Sequence, residues 1–254
     1  MADHKYVRNY LTNVIVRADF AAPWLRAPTP YPEPVTTAIL QEFPVEEQRT
    51  IQFGIQFGVG PVVPSGQEPV AGDPMLEAGY YSLDRSRHVG LARGYVFLEE
   101  TRYEGFAKMS ERLFRILEPI FACAPGLAIK RLGLRYMNVV TLPGRNALNW
   151  SSYLDRSLVS SLSFPGDGEG LTRAMSNMEL VVDGIGLRFQ YGVWNPDYPN
   201  IVRRKEFILD LDASAMGLAS YSEACDQTVH LHNIVESTFE RSIKDALRKT
   251  MEDE

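Results

Sequence analysis

Cysteine is scarce: Cys123 and Cys225 are the only two in 254 residues. That is too few for a disulfide framework, and neither stands in a CxxC or a Cys/His cluster of the kind that holds zinc. Long apolar runs are missing as well. The nearest approach to the roughly 20 apolar residues of a membrane-spanning helix is Ile116–Ile129, which Pro119, Pro125 and Gly126 interrupt. The opening residues, MADHKYVRNY, have no apolar core of the kind a signal peptide carries. Basic residues are in the minority, 26 against 32 acidic ones, for a formal net charge of −6. That balance weighs against a surface built to coat nucleic acid or an anionic membrane. Phosphate loops are missing too. Gly54, Gly58 and Gly60 lack the spacing of a dinucleotide fingerprint, no Gly-Lys-Ser/Thr occurs, and Gly166–Gly170 (GDGEG) is acidic and repels phosphate. There is no Gly-x-Ser-x-Gly elbow for a nucleophile. The expectation is a cytoplasmic protein with no cofactor, no metal and no membrane contact, and the reading leans away from an enzyme.

What is present is an ordinary globular composition, 45% hydrophobic, with two kinds of periodicity. The strongest period-two stretch is Lys130–Val140, KRLGLRYMNVV. Leu132, Leu134, Tyr136 and Asn138 fall on one face, and Arg131, Gly133, Arg135, Met137 and Val139 on the other. Further strands are expected over Asn13–Phe20, Thr50–Val59, Tyr80–Leu83, His88–Glu100, Leu158–Phe164, Arg173–Val182, Gly186–Trp194 and Lys205–Leu211, with Asp183-Gly184 as a hairpin turn. The segment from Gly60 to Gly79 reads as a long Pro/Gly-rich loop. Helical spacing of Phe106, Met109, Leu113, Ile116 and Ile120 predicts a helix over Tyr103–Phe121, ended or kinked by Pro119. Leu231, Val235, Phe239, Ile243 and Ala246 predict a terminal helix over Tyr221–Met251. Short helices are expected over Val35–Phe43 and Ala147–Arg156.

The order of these elements implies an α+β fold. An antiparallel sheet built from two related ferredoxin-like-type halves, residues 1–144 and 145–254, would carry long helices on one face. The two halves would share one sheet, so that the chain forms a single domain or two intimately packed ones.

Three passages carry a resemblance. Tyr103 and Phe106 form a Tyr-x-x-Phe helix start, Arg135-Tyr136-x-Asn138 sits in the central strand, and His232 precedes Phe239-Glu240 on the late helix. Together they resemble a sporadically distributed bacterial family of uncharacterised proteins of about this length. The resemblance implies a bacterial accessory protein, associated with mobile-element or defence gene neighbourhoods, with no assigned activity.

Candidate binding residues are therefore Arg135, Tyr136, Asn138, His232 and Glu236. An Asn beside an aromatic on a sheet face can read a small ligand or a base, or bond a neighbouring backbone group. His232 can pair with Glu236 one helical turn later, as a structural histidine or as an acid/base group. Asp210 and Asp212, on one face of what reads as a strand end, can hold Mg²⁺ or simply end the strand. His88, among Arg85, Arg87 and Arg93, can meet a phosphate or form a solvated turn. Three function classes follow. The first is a non-catalytic binding or regulatory protein with a protein partner or self-association. The second is a small-ligand sensor or enzyme using the concave face of the sheet, with a closed, aromatic-lined pocket. The third is an RNA-binding protein, which requires one contiguous basic patch from Lys130, Arg131, Arg203, Arg204 and Lys205.

Overall fold

Strands β1 (Leu11–Phe20) and β6 (Ile129–Thr141) lie side by side at the middle of the molecule. Their register pairs Val14 with Tyr136, Val16 with Leu134 and Ala18 with Leu132, so the apolar alternates of both strands share one face. That face is buried along its length, and β-branched and aromatic side chains suit its pleat. The computed structural model describes residues 6–25, 30–51, 75–144, 146–166 and 170–252.

Among the described residues seven more strands extend the sheet on both sides: β2 (Val45–Ile51), β3 (Met75–Tyr81), β4 (Arg87–Leu91), β5 (Tyr95–Glu100), β7 (Ala174–Val182), β8 (Ile185–Val193) and β9 (Glu206–Leu218). The order is β2-β3-β4-β5-β1-β6-β9-β8-β7, and every neighbouring pair is antiparallel. The chain is thus α+β, with one sheet crossing the position expected to divide the halves. Ferredoxin-like halves are not confirmed by this order, because one side is the meander β2 to β5 and the other the meander β7 to β9.

Among the described residues five helices accompany the sheet: α1 (Glu33–Leu40), α2 (Phe106–Cys123), α3 (Arg156–Val159), α4 (Tyr221–Ser242) and α5 (Asp245–Glu252). α2 buries Met109, Leu113, Ile116, Leu117 and Ile120, and α4 buries Leu231, Ile234 and Val235 in the same core as Val16, Leu134 and Leu211. Each such Leu or Ile contributes about 1.5–3 kcal/mol by leaving water. Pro119 sits inside α2 without ending it. It removes one backbone donor, but the burial of Ile120 beyond it holds the last turn in place.

Several sequence expectations give way. Of the strand expected over Thr50–Val59, only Thr50 and Ile51 are described, as the end of β2, and residues 52–59 lie outside the described residues. Residues 60–74 of the expected loop also lie outside them, and β3 begins at Met75 within that span. His88–Glu100 is two strands, reversed where the Ala92 amide donates to the Tyr95 carbonyl at 3.0 Å. Leu158–Phe164 is helical, as α3 followed by one 3-10 turn (Ser160–Ser163). The reason is local: the Asp155 carboxylate caps α3 by accepting from the Ser157 amide at 2.9 Å. Ala147–Arg156 is a run of turns leading into that cap, not a helix. The terminal helix breaks at Ile243, which is extended and forms a bridge with Leu154. Leu247 then takes the buried position expected for Ala246, which is exposed.

Candidate functional site

A cavity of about 340 Å³ opens between the sheet and the helices. Strand alternation carries Tyr136 and Asn138 of β6 to its wall, two residues apart on the helix-covered face. Helical spacing does the same for His232 and Glu236 of α4, one turn apart. The approach to α2 supplies Tyr103, Glu104 and Gly105, and the N-terminal segment supplies Tyr6, Val7, Asn9, Tyr10 and Leu11. Gly105, with φ +113°, is the N-cap of α2. A side chain avoids that conformation, so glycine lets the chain enter the helix directly behind Tyr103.

At the floor, three side chains form a hydrogen-bonded row. The Tyr103 hydroxyl lies 2.7 Å from the Tyr136 hydroxyl, which lies 3.0 Å from His232 Nδ1. The imidazole is stacked on Phe106, with ring centroids 3.9 Å apart and planes within 3°. His232 is only 8% exposed, so its orientation is fixed by Phe106 on its face and Tyr136 at its edge. Asn138, 4% exposed, donates from Nδ2 to the Leu209 carbonyl at 3.2 Å.

Across the cavity, Tyr6 donates to Glu240 Oε1 at 2.5 Å. Arg248 of α5 holds the other oxygen from behind, Nε to Oε2 at 2.9 Å. Burial, followed by the bond to Glu240, pushes the Tyr6 phenol well above its ordinary value. Glu104 is tied to Arg112 at 2.5 Å, to Arg87 at 3.0 Å and to Lys108 at 3.5 Å. The Arg112 hydrogen bond holds its carboxyl below the usual range. Behind it, Arg112 also reaches Glu100 at 3.0 Å and Glu42 at 2.7 Å. Burial raises Glu100, against the pull of Arg112.

Of the five residues singled out from sequence, the cavity gathers Tyr136, Asn138, His232 and Glu236. Arg135 is not among them. It lies on the opposite face of β6 and grips Asp210 through two bonds, Nε to Oδ1 at 2.7 Å and Nη2 to Oδ2 at 2.6 Å. Asp210 and Asp212 do share a face, but β9 runs on to Leu218, so they are not at a strand end. Each is taken by arginine, Asp212 by Arg131 at 3.1 Å and Arg188 at 3.0 Å. Among the described residues, no group of three or more His, Cys, Asp or Glu converges as a metal site would require. The cationic cluster around His88 is dispersed. Arg85 pairs with Glu47, Arg87 with Glu104, and Arg93 donates to the Leu25 carbonyl, while His88 stacks on Tyr81 with centroids 4.3 Å apart.

The five basic residues of the RNA reading do not form one patch. Arg131 pairs with Met216 near one end of β9, whereas Lys205 precedes its first residue, a separation of roughly 33 Å along the strand. No helix among the described residues is long and apolar enough to cross a membrane.

Sequence reasoning missed Tyr6, Asn9 and Tyr10. Their segment has no periodicity, and its bonds to Glu240 and Thr250 span 234 and 240 residues. No protein-family model matches the chain, and no curated protein does.

Proposed function

We propose that this protein binds a small molecule in the cavity between β6, α4 and the start of α2. One observation carries the reading. The Tyr103/Phe106, Tyr136/Asn138 and His232/Phe239/Glu240 passages are far apart in the chain, yet all of them line this one cavity or, for Phe106, stack on its wall. Its size falls within the usual range of ligand pockets, about 300–1,000 Å³, and its mix of aromatic walls with a few fixed polar groups is typical of them. The arrangement favours the sensor alternative of the small-ligand reading. A regulatory accessory role fits beside it, with the ligand as the signal. The resemblance to a bacterial family adds no activity to this.

A catalytic reading has one observation in its favour: the row of hydroxyls ends on an imidazole, and such a row can carry a proton. Turnover of the bound molecule would distinguish it from simple binding.

The test is native mass spectrometry of protein purified gently from its own host. A small mass released on denaturation is expected, and Asn138→Leu and His232→Phe variants that remain folded should lose it. Retention of that mass by both folded variants would place the ligand elsewhere and overturn the proposal.

A further inference from the structure

Among the described residues the sheet ends in β2 on one side and β7 on the other, and only β2 is guarded by charge. β2 carries Glu46, Glu47 and Arg49 in seven residues, and charges on an edge strand discourage pairing with another chain. β7, AMSNMELVV, is nine residues long with Glu179 as its one charge and no proline. Its register against β8 runs from Ala174 with Val193 to Val182 with Ile185 without a bulge. A long, regular edge of this kind is a template for one further strand.

The turn fixes which backbone groups of β7 face outward. Val182 and Ile185 flank the two-residue turn Asp183-Gly184, whose φ values of +50° and +81° belong to a type I′ hairpin. Residues flanking such a turn exchange both hydrogen bonds, and bonded pairs then alternate along the ladder. Ala174, Ser176, Met178, Leu180 and Val182 therefore direct their N–H and C=O groups at β8. Met175, Asn177, Glu179 and Val181 turn theirs away from the sheet, and none of the four meets a backbone partner there among the described residues. Their side chains lie on the open face, where Asn177 and Glu179 are exposed and Val181 is 80% exposed. On the covered face Met178, Leu180 and Val182 pack on the core but are only partly buried at its margin.

This strand is complementary to itself. When a second β7 is laid antiparallel about a twofold axis at Met178, Met175 faces Val181 and Asn177 faces Glu179, so all four outward residues are matched. Each such pair exchanges two backbone hydrogen bonds. The Asn177 amide can donate to the opposing Glu179 carboxylate, and just beyond the paired stretch Arg173 comes level with Asp183 of the second copy. No like charges meet. On the covered face Met178 packs on its twin and Leu180 on Ser176, which closes the apolar margin. A slip of the axis to Glu179 sets that carboxylate against its twin, a destabilising pair, and leaves Met175 opposite the turn.

We propose that β7 is the interface at which two copies of this chain join, antiparallel about an axis at Met178, into one continuous sheet. The pairing is independent of the cavity, none of whose lining residues belongs to β7.

The experiment is sedimentation equilibrium of the full chain over roughly 1 to 100 μM, the range in which small interfaces associate. The mass should rise from 28.6 kDa towards twice that value. Asn177→Lys sets a cation opposite Glu179 on both sides of the axis and should tighten the dimer. Asn177→Glu sets like charges there and should loosen it. Two cross-strand charge pairs of ordinary strength make each change roughly two- to thirtyfold. Asn177 is exposed and its neighbour on β8 is the uncharged Gln190, so both variants should fold as the parent does, with circular dichroism as the check. The same two changes at Val229, exposed on α4, control for net charge and should leave the dimer unmoved. A mass that stays at 28.6 kDa at the highest concentration overturns the proposal. So does a dimer that the two Asn177 variants fail to move in opposite directions, or move no further than the Val229 controls, because its interface then lies elsewhere.

Discussion

Arg135 provides the sharpest test of which groups hold the fold and which serve the cavity. It is 7% exposed, its partner Asp210 is 3% exposed, and two short bonds join them on the face of β6 away from the cavity. A buried pair of this kind loses heavily to desolvation, so its net contribution against an apolar pair is small, while removing one member strands a charge at about 3–5 kcal/mol. Arg135→Met should therefore cost about 3–5 kcal/mol. For a chain of this size that lowers the melting temperature by roughly 6–20 °C. Asp210→Leu should fall at the lower end, because the abandoned guanidinium still has Asp212 nearby to attract it. The double variant Arg135→Met/Asp210→Leu should recover most of either loss. The assay is urea denaturation of all four proteins at neutral pH, read as a double-mutant cycle. Additive losses, or a single variant within about 0.5 kcal/mol of the parent, would refute the reasoning. So would loss of the cavity ligand from folded Arg135→Met, since that would place the guanidinium in the site.

Tyr136→Phe should cost about 1–3 kcal/mol in urea denaturation, because it leaves the buried Nδ1 of His232 facing an apolar ring edge; a loss below that range would mean the row contributes nothing. Glu100→Gln should leave stability at neutral pH unchanged or raised, since burial disfavours the Glu100 charge and an amide oxygen still accepts from Arg112; a large loss would show that the charge is required. Alkaline pH should unfold the protein cooperatively. Burial pushes Tyr31 and Tyr80 from 10.0 up to about 12. A raised folded value means the folded state holds these protons longer, so their stabilising effect is complete below pH 10 and lost between 10 and 12. Tyrosinate absorbance should then rise together with the loss of circular dichroism, and a rise well ahead of unfolding would count against the burial argument.

What the sequence discloses follows from the range of its signals. The faces of β6 and the stripe of α2 are legible because a buried face repeats every two residues in a strand and every three to four in a helix. The same two-residue period is enough to separate Tyr136 and Asn138 from Arg135. The Leu158–Phe164 stretch misleads because its alternating apolar residues also fit a helical turn, and the Asp155 cap decides between them. The break at Ile243 is hidden because it is made by Leu154, nearly ninety positions earlier, with a bridge that leaves no trace in the local pattern. The cavity is the extreme case. Its N-terminal wall meets α4 and α5 only through contacts that span almost the whole chain.

The two faces of β6 also show why the site lies where it does. On the open face the polar groups are closed on one another: Arg135 with Asp210, and Arg131 and Arg188 with Asp212. Each buried charge there has its partner within the protein, and little capacity is left for a ligand. The covered face is otherwise apolar from Val16 through Leu134 and Leu211, and there an amide serves no packing purpose that a leucine would not serve better. Asn138 nevertheless occupies that face, its Nδ2 donating to the Leu209 carbonyl. A fold selected for stability alone gains little from this, because one such hydrogen bond is worth only about 0.5–1.5 kcal/mol net. Departures of this kind, where local rules are broken beside an open cavity, are expected at functional sites. On that reasoning Asn138→Leu should change the stability of the empty protein by no more than about 1.5 kcal/mol, the worth of its bond to Leu209, while abolishing its binding.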